Sequence, residues 1–165
     1  MWELGGEAER DQRLYFTGGA TAVLLGWRSS TLDVKVDPES DRIYRALPRI
    51  KEKLEINIEL AAPDQFIPEL SGWRGRSAFI AREGRISFYH YDFYAQALSK
   101  IQRGHSQDRG DVREMLERGL IDRRELRRRF EEIEPQLYRF PAIDPEAFRR
   151  ALEEALQEPQ PEASR

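Results

Sequence analysis

The sequence predicts an α+β domain: a small mixed β-sheet with flanking helices and a C-terminal helical cap. Three observations carry that prediction. Two short segments, Thr31 to Val36 and Leu54 to Leu60, alternate apolar with polar residues, the pattern of half-buried strands. The stretch SAFIAREGRISFYHYD reads as a β-hairpin turning at Glu83-Gly84. From Tyr91 onward the texture becomes helical and stays so nearly to the end.

Taken in order, Tyr15 and Phe16 lead to the pair Gly18-Gly19, and Ala20 to Trp27 is small and apolar enough for a short buried helix. In the first strand Leu32, Val34 and Val36 share one face, while Asp33, Lys35 and then Asp37 share the other. Pro38 and the acidic residues after it open a helix, PESDRIYRALPRIKEKL, with a disturbance expected at Pro48 because an interior proline removes a backbone donor. The second strand, LEINIEL, sets Leu54, Ile56, Ile58 and Leu60 against Glu55, Asn57 and Glu59. Prolines and glycines make AAPDQFIPELSGWRGR a loop. Four helical segments follow the hairpin: YDFYAQALSKIQRG, SQDRGDVREMLERGL with Ser106 at its cap, DRRELRRRFEEIE and DPEAFRRALEEALQ. The expected organisation is one domain over residues 1–157, helical from about 91, with a flexible tail at 158–165.

A chain of 165 residues can bury a core without covalent staples. It contains no cysteine, which excludes disulfides, thiolate zinc sites and cysteine nucleophiles. No basic region followed by an apolar run opens the sequence, and no eighteen apolar residues occur together, so the expectation is a soluble, cytoplasmic protein with no membrane partner. Charged residues make up 35% of the chain, yet the net charge is only −3, which describes an ion-paired surface better than a nucleic-acid footprint. The arginine-rich run fits that reading, since Arg127 and Arg128 each lie four residues before a glutamate, Glu131 and Glu132.

The chemistry concentrates near Gly18-Gly19. Paired glycines let the backbone approach a ligand closely, and a helix starting there aims free N–H groups at it, so phosphate is the natural guest. If Asp33 projects to the same spot, its role beside a phosphate is to hold Mg²⁺. Glu59 or Asn57 on the second strand could complete the cluster. The alternatives remain open: the glycines also suit a plain turn, and the polar strand residues an ordinary solvated sheet face with cross-strand charge pairs. His90 and His105, the only histidines, lack the spacing of a metal site.

Gly18-Gly19-Ala20-Thr21, the arginine-bearing GWRSST and then Asp33 resemble the signature of the nucleotidyltransferase (DNA polymerase β-like) superfamily, in which paired small residues precede Asp-x-Asp on a strand. The pattern is most similar to small bacterial nucleotidyltransferase-like domains related to abortive-infection and toxin–antitoxin enzymes. Lys100 followed by Asp108 and Asp111 matches their later lysine and Asp-x-x-Asp segment, so the resemblance runs from about Tyr15 to Leu116. It implies an NTP held at Gly18, Gly19 and Thr21, Mg²⁺ on strand carboxylates, and a hydroxyl of RNA, protein or a small molecule attacking the α-phosphorus as pyrophosphate leaves. Arg28 or Lys100 would neutralise the developing charge. The family's first metal-binding aspartate falls on Asp33, but its second falls on Lys35, and a protonated lysine cannot ligate Mg²⁺. Asp37, two residues further along the strand, and Glu59 are the candidate substitutes for metal binding and catalysis. Two readings follow: an active or weakened Mg²⁺-dependent nucleotidyltransferase, or a catalytically inactive module that binds a nucleotide or a protein partner, as in a toxin–antitoxin pair.

Overall fold

A computed structural model describes residues 1–27, 32–37, 39–55 and 57–157 of the chain. In order, its elements are α1 (Trp2–Gly5), β1 (Gln12–Thr17), α2 (Gly18–Leu24), β2 (Leu32–Asp37), α3 (Asp41–Leu54), β3 (Ile58–Leu60), α4 (Trp73–Arg76), β4 (Ala78–Glu83), β5 (Ile86–His90), α5 (Phe93–Arg103), α6 (Ser106–Glu117), α7 (Arg123–Ile133) and α8 (Pro145–Leu156). Short 3₁₀ turns cover Pro63–Gln65 and Glu134–Arg139. The fold is α+β, as expected. The five strands form one mixed sheet in the order β3-β2-β1-β5-β4. β1 runs antiparallel to β2 and parallel to β5, while β2 and β3 are parallel and β4 and β5 form the hairpin.

β1 lies at the centre of the sheet, and the sequence did not announce it. Both of its faces are covered from Leu14 to Thr17, so Leu14, Tyr15 and Phe16 read as a short apolar run rather than an alternation. Leu14 and Phe16 join Val34, Val36, Ile86 and Phe88 against α3, which buries Ile43, Ala46, Leu47 and Ile50 at helical spacing. Tyr15 points to the opposite side, into a second cluster formed with Ile67, Leu70, Trp73, Tyr91 and the apolar stripes of α5 to α8. Each large side chain fully withdrawn from water contributes about 1.5–3 kcal/mol, so these two layers fix the sheet between them.

Several local expectations need correction. The helix α3 passes through Pro48 without a break in its assignment and keeps Leu54, so the strand expected over LEINIEL shrinks to Ile58–Leu60. Glu55 ends the helix in the left-handed conformation at φ 53°, its N–H bonded to Glu52 and Lys51 carbonyls, while Ile56 lies outside the described residues. Ile58 is buried, whereas Leu60, assigned to the same inner face, is 47% exposed. The expected loop 61–76 carries Ile67, Leu70 and Trp73 into the second cluster, because three spaced apolar side chains outweigh its proline and glycine content. Ser106 is the first residue of α6 rather than its cap; His105 holds that position without a side-chain bond. On α7 the ion pairs form with other partners than expected: Arg127 with Glu153 on α8, Arg128 with Glu125, and Arg129 with Glu125 and Glu132. Among the described residues, no helix is long and apolar enough to cross a membrane.

Candidate functional site

At the end of β1 the backbone turns at Gly18, φ 48°, and enters α2. β2 brings Asp33 level with Thr17, the last residue of β1, so its carboxylate reaches that turn. Asp33 Oδ2 accepts a hydrogen bond from the Gly19 N–H at 3.0 Å. A Cβ placed on Gly18 would collide with the same oxygen, so both the positive φ and the close approach require glycine there. The glycine pair and Asp33 therefore converge.

Burial pushes the Asp33 carboxyl above its ordinary range; the Gly19 N–H opposes the shift, the neighbouring Glu59 charge adds to it, and Lys100 and Arg103 counter it. Thr17, Gly18, Asp33, Pro63, Gln96 and Lys100 are among the walls of a cleft with a cavity of ≈ 20 Å³, the room of one water-sized group. At its edge Arg103 lies 5.4 Å from the centre of the Phe66 ring.

Lys100 arrives from α5 and is only 2% exposed. Its Nζ bonds Asp111 at 2.6 Å and Asp108 at 3.2 Å, both on α6. Asp108 is shared with Arg103 at 2.7 Å, and Asp111 also accepts from the Trp27 indole at 3.0 Å. The charges of the buried Lys100 and the partly exposed Arg103 thus meet two buried carboxylates at the cleft wall. The order Lys100, Asp108, Asp111 in the sequence is realised as direct contact.

The remaining predicted residues lie elsewhere or are occupied. Lys35 shares the sheet face of Asp33 but forms an ion pair with Asp64, its ammonium 5.2 Å from the Trp73 ring centre and 5.9 Å from that of Tyr91. Asp37 sits four residues, roughly 13 Å of strand, from Asp33 and is paired with Arg74 at 2.7 Å. Glu59 lies beside Asp33 on the adjoining strand, is exposed, and accepts from Asn57 at 2.9 Å. Thr21 turns inward: its hydroxyl donates to the Phe16 carbonyl and meets His90 Nδ1, each at 3.3 Å. Arg28 lies outside the described residues. His90, its pKa lowered by burial, stands at the end of β5 in contact with Thr21, while His105 is exposed at the start of α6. Among the described residues no three carboxylate or imidazole groups come together as a metal-binding set.

The residue that sequence reasoning missed is Gln96. It is 1% exposed and lines the cleft one turn before Lys100. Its amide nitrogen donates to the Tyr91 carbonyl at 2.8 Å and to Thr21 Oγ1 at 3.0 Å, while its oxygen has no hydrogen-bond partner among the described residues. The available signal was spacing, since residues four apart on a helix share a face, so a polar side chain four before a cleft lysine joins it there.

Comparison with known proteins gives a single kind of match. Residues 2–155 match a family described as "Nucleotidyltransferase of unknown function (DUF6036)". No curated protein and no solved structure matches the chain significantly.

Proposed function

Since the chain belongs to this nucleotidyltransferase family, we propose that the Gly18-Gly19 and Asp33 cleft is a nucleotide site in which metal-dependent transfer is weakened or lost. The observation that carries this reading is the division of the β2 polar face. Asp33 is held at the glycine turn, while Lys35, at the position where the resemblance expects a second carboxylate, is engaged with Asp64 and an aromatic platform.

Bound Mg²⁺ would supply charge neutralisation and activation of the attacking oxygen. The described side chains do not fit a two-metal clamp for it. Asp37 is too far along the strand and paired, and Lys35 adds positive charge where the clamp needs negative. What these residues support is binding. Arg103 at the cleft edge offers a partly exposed guanidinium for phosphate oxygens, and the Phe66 ring beside it offers an apolar face. Asp33 keeps the glycine turn in place by occupying the Gly19 N–H.

A second reading has its own observation. Glu59 lies directly across from Asp33 on the parallel neighbour β3, and its charge helps to raise the Asp33 pKa. Together they could hold one Mg²⁺ and keep slow transfer.

Calorimetric titration with ATP and CTP, with and without Mg²⁺, separates these readings. The expected result is nucleotide binding that does not need Mg²⁺, with metal dependence appearing in Lys35→Asp. Metal affinity unchanged by Lys35→Asp refutes the account of Lys35. Transfer of nucleotide that is seen in the native chain and lost in Glu59→Gln favours the second reading.

A further inference from the structure

The amide of Gln96 is oriented without ambiguity. Its bond to the Tyr91 carbonyl must come from the NH₂ group, because a carbonyl accepts only, so the other end of the side chain is the acceptor oxygen. That oxygen is buried and has no partner among the described residues, in a side chain that is 1% exposed and lines the cleft. A buried acceptor left unpaired opposes folding, and such groups persist where something else completes them.

The surroundings say what can complete it. The Asp33 carboxylate lines the same cavity and also accepts only, while the Lys100 ammonium is already divided between Asp108 and Asp111. Phosphate oxygens, which only accept, cannot pair with the Gln96 oxygen. A hydroxyl donates to it, and the ≈ 20 Å³ of free space suits a hydroxyl. Arg103 stands at the edge of this cavity, in contact with Phe66, and its two bonds to Asp108 leave further N–H groups for phosphate oxygens. We infer that Gln96 determines specificity by accepting a hydrogen bond from a ribose hydroxyl, so the cleft selects ribonucleotides and takes them sugar edge inward with phosphates toward Arg103. This rests on the reading of the cleft as a nucleotide site.

The test is a set of competition titrations with ATP, 2′-deoxy-ATP, 3′-deoxy-ATP and tripolyphosphate against native protein and Gln96→Met. In the native protein, one of the two deoxy forms should bind on the order of tenfold more weakly than ATP, the cost of leaving the acceptor unpaired. Tripolyphosphate should bind more weakly still. Gln96→Met should bind ATP and that deoxy form alike. Should Gln96→Met fail to fold, the native series decides alone. Equal affinity for ATP and both deoxy forms overturns the inference, because the oxygen then meets an ordered water only. Binding of Mn²⁺ alone that is lost in Gln96→Met overturns it in favour of a metal ligand. Absence of any ATP or CTP binding refutes the parent reading and this inference with it, an outcome distinct from the other two.

Discussion

Gly18 is a position where the side chain of another residue decides the identity. Its φ is positive and the Asp33 oxygen occupies the space of a Cβ, so Gly18→Ala must either strain the turn or evict the carboxylate. The expected cost is about 1–3 kcal/mol, measured by urea unfolding, and a variant as stable as the parent would show that the two do not touch. Asp33 itself carries a stability penalty. Burial raises its folded pKa above the unfolded value, so its contribution favours folding below the ordinary carboxylate range and is lost as pH rises through the folded value. Asp33→Asn keeps an acceptor for Gly19, and its melting temperature should exceed that of the native chain at neutral pH. The difference should close in acid. A lower melting temperature at pH 7 would mean that the charge is stabilising. This pairing was legible because a glycine pair and an acid on the next strand are both conspicuous in sequence. The Lys35–Asp64 pair was not, because nothing local marks which carboxylate, 29 residues away, a strand lysine will meet.

At the scale of elements, boundaries were harder to read than types. The hairpin and the four C-terminal helices follow from turn chemistry and periodicity, and carboxylate caps at Asp92, Asp122 and Asp144 start three of those helices. β1 escaped because alternation is the signature of a strand with one wet face, and here Arg13 alone is exposed while Leu14 to Thr17 are buried on both sides. The segment from Leu54 to Leu60 misled for the converse reason: its alternation is a coincidence of a helix end, a left-handed residue and a three-residue strand. That left-handed residue offers a test, since Glu55 is the one described non-glycine residue with positive φ. Glu55→Gly removes the Cβ conflict at the end of α3 and is expected to stabilise by roughly 0.5–1 kcal/mol in chemical denaturation. Destabilisation instead would show that the Glu55 side chain contributes more than its backbone costs.

Across the whole molecule, the Lys100 network ties the helical cap to the Gly18 end of the sheet. α5 supplies Lys100 and Arg103, α6 supplies Asp108 and Asp111, and Trp27 reaches it from beyond α2. Removing the lysine leaves two carboxylates buried together, so Lys100→Met should cost about 3–5 kcal/mol in equilibrium unfolding. A midpoint close to that of the native chain would mean that water, rather than Lys100, compensates those acids. The sheet order has a further consequence for synthesis of the chain. β1 is made well before β5, yet one of its flanks pairs with that strand, where Gln12 faces Ile86. A nascent or proteolysed fragment that stops before Ile86 therefore exposes Leu14, Tyr15 and Phe16 on a strand with an unsatisfied hydrogen-bonding edge, a template for aggregation until the hairpin arrives to cover it.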